Sequence, residues 1–447
     1  MMPNTQVRVC EGQELHSRVP TEAQAVQQPS SSLPKPINIV FNGKNGEGSS
    51  DRFVLTERLL SQHLMLMGGI GSGKTNTFNQ MLQNIVPQLS SRDVMIIFDT
   101  KGDFYNEFYR PGDIVISNDA TACGSAGLDY WNIIEEMSND PDGLKSDSLE
   151  ISNALFAEKL RTAGENSFFP QAAKDIMSAL FFNFALLKSK GKVDNHSISQ
   201  LLKREGADYY RSVLSSNPEF AAMNNYIPSG SGNQAAAVLA EIQQMVRSVF
   251  VGNFAKRGTL SMRKLVRNKG GRKIFIEYDI GIGGMLTPIY SLLFDLAIKE
   301  ALCRSKSDGN VFFVCDEFKL LPNLKHIDDA VNFGRSLGIK FMIGVQNVDQ
   351  IIEAYGENQA KNILSGFVNL FAFKVGDHST REYVKERCGK NRKCTMLKSV
   401  AVQESIEAAN VVEDWDISKL KLGEAVVSLN TAEPFKFGFS EFVGRKR

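Results

Sequence analysis

Cysteine is sparse in this chain and scattered. Cys10, Cys123, Cys303, Cys315, Cys388 and Cys394 form no C-x-x-C pair. Cys388 and Cys394 lie close together, but no second cysteine or histidine pair accompanies them. Neither a zinc site nor a disulfide framework is indicated, and reduced thiols are expected. Histidine is rarer still, five residues without a cluster. An excess of one charge is also missing: 51 Lys and Arg against 50 Asp and Glu leave a formal net charge of +1. That balance excludes a uniformly basic nucleic-acid coat and confines any such contact to local patches. No run approaches the roughly 18 apolar residues of a membrane span. The most apolar candidate helix, 176–187, is interrupted by Asn183, and no signal peptide opens the chain. The expectation is a soluble, cytoplasmic protein that reaches the inner face of a membrane only through a partner.

What the chain does contain is Gly68-Gly-Ile-Gly71-Ser72-Gly73-Lys74-Thr75, a complete phosphate-binding loop of the form GxxxxGK[ST]. Residues 63–67 before it read as a short buried strand. Residues 76–86 after it carry apolar side chains at helical spacing (Phe78, Met81, Leu82, Ile85). Strand, glycine-rich loop and helix are the context the motif requires. The glycines let backbone N–H groups converge on phosphate oxygens at the positive end of a helix. Lys74 is then expected to reach the β- and γ-phosphates of a nucleotide and the Thr75 hydroxyl to ligate Mg²⁺.

At 447 residues there is room for two or three domains. Residues 1–36, rich in Gln, Ser and Pro, read as a disordered tail. Residues 37–140 and 259–447 share one pattern: apolar runs at 94–98, 114–116, 274–276, 311–315, 341–345 and 370–373, with helical segments between most of them. Such runs belong to strands buried on both faces, so an α/β core with a mainly parallel sheet is predicted. Between them, 141–258 shows helical periods and no buried strand, which predicts an inserted all-α subdomain.

Hydrolysis also needs a carboxylate for the metal and a group that orients water. The run 311–315 ends in Asp316-Glu317. Asp316 can hold the metal and Glu317 can polarise the attacking water. Asp99 competes, because it also follows a buried strand. Its surroundings, Asp99-Thr-Lys-Gly102-Asp103, mimic two GTPase motifs at once. The same few residues cannot serve both roles, so GTPase identity is not favoured. Arg335, in Gly334-Arg335-Ser-Leu-Gly338, precedes the strand 341–345 and is a candidate to enter a neighbouring subunit's site. Gln346 ends that strand, where a γ-phosphate sensor would stand.

With these pieces in order, the chain resembles the type IV coupling proteins, hexameric ATPases of conjugation and type IV secretion within the FtsK–HerA class of DNA pumps. The matching pieces are His63 leading into 68–75, Asp99–Asp103, Phe168-Phe-Pro-Gln-Ala-Ala173, Asp316-Glu317-Phe318, Gly334–Ile339, Gln346-Asn-Val-Asp-Gln350 and Tyr355-Gly356. The resemblance runs over about 50–435. It implies a RecA-like P-loop NTPase core, with Lys74, Thr75, Asp316, Glu317, Gln346 and Arg335 as phosphate lysine, metal residues, catalytic acid, sensor and arginine finger. Many members carry transmembrane helices ahead of the ATPase region, whereas this chain shows only its polar tail.

Two segments are locally basic. Residues 261–273 hold Arg263, Lys264, Arg267, Lys269, Arg272 and Lys273; residues 387–398 hold Arg387, Lys390, Arg392, Lys393 and Lys398. Neither contains an acid or the interleaved aromatics of a base-stacking surface. A solvated loop is the plainer reading of each, although a ring would multiply either into a positive channel. The expectation is a hexameric motor that hydrolyses ATP with Mg²⁺ and moves DNA, single-stranded and without sequence preference. Its implied partners are a relaxase, relaxosome or effector cargo, and secretion-system subunits or a separate membrane protein. The rivals are a HerA-like translocase of repair or phage defence and a nucleotide-dependent protein-cargo adaptor.

Overall fold

A computed structural model describes residues 4–28, 35–118, 129–188, 193–230, 232–303, 309–398 and 402–444. Cys123 and residues 29–34 of the expected tail lie outside them. The strands are β1 (Asn4–Glu11), β2 (Asn38–Asn45), β3 (Ser50–Thr56), β4 (Leu64–Met67), β5 (Val94–Asp99), β6 (Ile114–Ile116), β7 (Arg272–Glu277), β8 (Val311–Cys315), β9 (Ile339–Val345), β10 (Asn369–Phe373), β11 (Lys390–Lys398), β12 (Val402–Asn410), β13 (Glu424–Leu429) and β14 (Ala432–Phe439).

An eleven-stranded sheet runs in the order β3-β2-β14-β13-β10-β4-β9-β8-β5-β7-β6. From β10 to β6 every pairing is parallel. From β3 to β10 every pairing is antiparallel. The continuous apolar runs seen in the sequence occupy the parallel part, where β4, β5, β8, β9 and β10 are buried at every position, as strands covered by helices on both faces must be. Of the antiparallel edge, the sequence suggests β2, through the alternating run 37–41, and β3, through 53–55, but neither β13 nor β14. The core of this edge is a phenylalanine cluster in which Phe53 stacks on Phe41 at 4.8 Å and meets Phe437 edge-on at 4.8 Å.

Between β6 and β7, which are neighbours at the other edge, the chain leaves the sheet. It forms the helices Pro141–Thr162, Phe168–Lys188, Asn195–Arg204, Ala207–Ser215, Asn233–Val249 and Met262–Asn268. A bridge between Trp131 and Leu260 closes the neck, with the Asn132 N–H donating to Leu260 O at 2.9 Å and the Leu260 N–H to Tyr130 O at 3.0 Å. Helix Gly283–Leu302 of the core packs on Pro141–Thr162 and Asn233–Val249. One continuous apolar cluster therefore joins insert and sheet.

The expected disordered tail is ordered wherever it is described. β1 pairs antiparallel with β11, Val7 opposite Thr395 and Val9 opposite Lys393, in a separate sheet β1-β11-β12. His16 then bridges Phe435, and helix Thr21–Gln24 buries Ala23. Composition alone missed this because the strand's partner lies at the other end of the chain. Among the described residues no helix is long and apolar enough to cross a membrane.

Candidate functional site

β4 is a short central strand between β9 and β10, and its C-terminal end delivers the glycine loop. The Gly68 N–H donates to Val345 O at 3.0 Å and the Gly69 N–H to Lys374 O at 3.0 Å, so the loop emerges pinned to both neighbouring strands. Gly73 has φ 113, a conformation open to glycine, and a Cβ there would stand 2.9 Å from Gly423 Cα. Helix Lys74–Ile85 follows and buries Phe78, Met81, Leu82 and Ile85, the face the sequence predicts. The Lys74 ammonium folds back over the loop, donating to Gly68 O at 2.5 Å and Gly69 O at 3.1 Å.

β8 ends beside it. The Thr75 hydroxyl donates to Asp316 Oδ2 at 2.6 Å, joining positions 241 residues apart. Gly344 in β9 permits the approach, since a Cβ there would lie 2.1 Å from Asp316 O. Glu317 Oε2 accepts from Gln346 Nε2 at 2.8 Å. Its other oxygen is buried without a hydrogen-bond partner, 3.8 Å from the Lys319 ammonium. The structure thus brings Lys74, Thr75, Asp316, Glu317 and Gln346 together. Arg335 stands apart: it is exposed in the short turn Gly334–Leu337 before β9, at the opposite end of the parallel strands.

Asp99 is buried and engaged elsewhere. Its carboxylate accepts the Tyr105 N–H at 2.7 Å and the Lys101 N–H at 3.3 Å, which holds the turn into helix Asp103–Phe108. That geometry accounts for Asp99-Thr-Lys-Gly-Asp103 as turn chemistry. Of the two acids ending buried strands, Asp316 is the one on Thr75.

Burial dominates the electrostatics. It lowers the Lys74 pKa, against the opposing pull of Asp316 and Glu317. It raises that of Asp316, against the Thr75 hydrogen bond and Lys74. Each charge is penalised by removal from water, and each is relieved by a partner of opposite sign. The residues fit a magnesium–nucleotide group on their own chemistry: hard oxygens at Thr75 and Asp316, a buried Ser72 hydroxyl without a hydrogen-bond partner, and a loop with open space around Gly71.

Sequence reasoning missed a clamp around this loop. The Gly423 N–H donates to Ser72 O at 3.0 Å. Asn76 Nδ2 donates to Ser440 O at 2.9 Å, and Asn76 Oδ1 accepts the Phe442 N–H at 2.7 Å. No local signal marks these residues, whose contacts span more than 300 positions. Most of the first basic segment is engaged in ion pairs, with Arg263 and Lys273 sheltered and Lys264 and Arg267 at the surface. Arg263 pairs with Asp147 at 2.6 Å and Glu150 at 3.1 Å, Arg267 with Glu300 at 2.9 Å, Lys273 with Asp113 at 2.9 Å, and Lys264 with Glu135. In the second, Lys390 and Arg392 are exposed on β11, Arg392 beside Glu11 at 3.1 Å.

A mainly parallel sheet with a phosphate loop after a central strand and an acid pair after the next strand but one defines a RecA-like P-loop nucleotide-binding protein. A family model described as "Type IV secretion-system coupling protein DNA-binding domain" matches residues 53–433. The chain belongs to that family. It is 21% identical to the coupling protein TraD of Escherichia coli (strain K12) over 335 residues, 73% of this chain and 44% of that protein. It is 23% identical to the conjugal transfer protein TraG of Agrobacterium fabrum over 311 residues, 63% of this chain and 44% of that protein. The chain therefore spans less than half the length of these curated relatives. In fold it is similar to the unbound bacterial conjugative coupling protein TrwB, with TM-score 0.72, 17% identity, and coverage of 88% of this chain and 89% of that one. The plasmid coupling protein TrwB in complex with a non-hydrolysable ATP analogue gives TM-score 0.70, 19% identity and 87% coverage of each chain.

Proposed function

We propose that this chain is the motor of a coupling machine: a P-loop ATPase that assembles as a hexamer and moves single-stranded DNA, alone or bound to protein, toward a type IV secretion or conjugation apparatus. The observation that carries the reading is the 2.6 Å contact between Thr75 and Asp316, which sets the phosphate loop and the acid strand around one point. The relatives' names, coupling and conjugal transfer proteins, favour this over a repair or defence translocase. Two parts of the chain, 37–140 and 259–447, form the motor core; the insert 141–258 serves cargo or relaxosome recognition. A membrane partner or secretion subunits would place it at the inner face of the membrane.

In this reading Lys74 unfolds from the Gly68 and Gly69 carbonyls to meet the β- and γ-phosphates of ATP. Thr75 and Asp316 would hold Mg²⁺, which supplies Lewis-acid neutralisation of phosphate charge. The partnerless oxygen of Glu317 accepts a hydrogen bond from the attacking water and takes its proton as the bond from the water oxygen to the γ-phosphorus forms and that to the β-phosphate oxygen breaks, ADP leaving. Gln346 fixes the other Glu317 oxygen and stands beside the γ-phosphate as its sensor. Arg335 of an adjacent subunit stabilises charge on the leaving group.

The test is ATP turnover with and without single-stranded DNA. Lys74→Ala and Glu317→Gln are each expected to lower turnover about 100-fold or more, the size of loss typical for a preorganised transition-state group. Wild-type turnover in either variant defeats the site assignment. Full ATPase activity with no response to DNA favours the cargo adaptor instead.

A further inference from the structure

Gln350 has no part in the site as described so far, yet it touches the site's second layer. The chain of contacts begins at Glu317, whose carboxylate can only accept, so the Gln346 group facing it at 2.8 Å must be the NH₂. That orientation turns the Gln346 carbonyl away, toward Gln350, whose Nε2 donates to it at 3.4 Å. Gln350 is fixed at its backbone. It lies in the first turn of helix Val348–Tyr355, where its backbone N–H donates to the N-cap side chain of Asn347 at 2.9 Å. Its own carbonyl oxygen is buried without a hydrogen-bond partner. It also lines a cavity of about 470 Å³ between insert and core, together with Met245 and Glu158 from the insert and Met285, Pro288 and Lys319 from the core.

We infer that Gln350 is a positioning residue for the reaction: by donating to the Gln346 carbonyl it holds that amide in place against Glu317, and so steadies the acid. This rests on the role given to Glu317 above. Without a donor at 350 the Gln346 carbonyl loses its partner and the side chain is held at one end only, which loosens its grip on Glu317.

The experiment is steady-state ATPase kinetics and nucleotide affinity for the full chain carrying Gln350→Glu, Gln350→Leu and Gln350→Lys, each repeated in a Gln346→Leu background. Glu places an acceptor against the Gln346 carbonyl and Leu removes the donor; both are expected to lower kcat about 10- to 100-fold, as loss of an outer orienting group does, with KM and nucleotide affinity little changed. Lys keeps a donor and is expected to retain most turnover, which a purely structural role would not predict. In the Gln346→Leu background the Glu and Leu changes should add no further loss, since the relay is already cut. The inference is overturned if the same fold loss persists in that background, if Lys is as damaging as Glu, or if affinity falls in step with kcat. Should Gln350→Glu fail to fold, Gln350→Leu with its double variant decides alone. If Glu317→Gln is inactive while the Gln350 variants are unimpaired, only the relay fails; if Glu317→Gln is fully active, the role of the acid fails first.

Discussion

His63, directly before β4, takes a left-handed backbone at φ 59 and buries its ring, with Nδ1 accepting the Phe341 N–H at 3.1 Å. An acceptor nitrogen must be unprotonated. Burial above all, with the Lys340 charge second, lowers its pKa to about 3 from the ordinary 6.5. A group depressed in the folded state contributes stability that is present above its unfolded pKa and lost as pH falls toward the folded one. Chemical denaturation is therefore expected to show stability declining from pH 6.5 toward 3. His63→Asn, which tolerates the left-handed backbone, should flatten that limb while costing about 1–3 kcal/mol at neutral pH for the unpaired Phe341 N–H. An acid limb of unchanged slope would refute the assignment.

His326 titrates in the opposite sense. Burial lowers its pKa, but Asp295, bonded to Nδ1 at 2.9 Å, and Glu150 outweigh it and the net shift is upward. Its contribution is full below the ordinary histidine pKa and fades as pH rises through the folded value. His326→Gln should make the melting temperature less sensitive to pH above neutrality; an unaltered pH dependence there would count against it. The sequence marks His63 only as the residue leading into the phosphate loop and His326 as a solitary one, because burial and partner are properties of the fold. The phosphate-loop residues were legible because close backbone approach and phosphate contact restrict their types. Asp99 and Asp316 read alike, each an acid after a buried strand. Only the position of β8 beside the loop, and the turn that engages Asp99, separates them.

At the scale of elements, β4, β5, β8, β9 and β10 announced themselves because strands covered on both faces need unbroken apolar runs. β1, β11, β12, β13 and β14 did not. They are short or largely polar, and although β11–β12 and β13–β14 pair with their sequence neighbours, their placement depends on strands far along the chain, as when Val9 meets Lys393. The same distance hid the clamp on helix Lys74–Ile85, where residues 440–442 bind Asn76, and Gln80 donates to Ser440. Asn76→Ala removes both an acceptor and a donor from this contact, at about 0.5–1.5 kcal/mol for each hydrogen bond. The expected result is faster amide exchange at Phe442 with the global melting temperature nearly unchanged. Protection at Phe442 equal to wild type would show that the clamp is held by other contacts.

For the whole molecule, the decisive feature is the separation of Arg335 from the loop it is expected to serve. β9 has seven residues, and at about 3.3 Å each it holds the two ends of the sheet roughly 20 Å apart. Arg335 therefore cannot act on its own subunit's phosphates. In the proposed assembly a head-to-tail contact, which closes into a ring when the rotation permits, would place that end of one subunit against the loop of the next. The surfaces on both sides suit burial: Phe333 is 67% exposed two positions before Arg335, while Ile70 in the loop is 88% exposed and Leu422 beside Gly423 is 78% exposed. Subunits carrying Lys74→Ala alone, or Arg335→Ala alone, are each expected to be inactive as pure assemblies. Mixed in equal amounts and allowed to exchange, they should regain activity, because roughly a quarter of interfaces in a random head-to-tail ring pair an intact loop with an intact arginine. Turnover measured alongside oligomer mass reads this directly. Mixtures that form the ring yet stay inactive, or an Arg335→Ala assembly with normal turnover, would remove Arg335 from the neighbouring site.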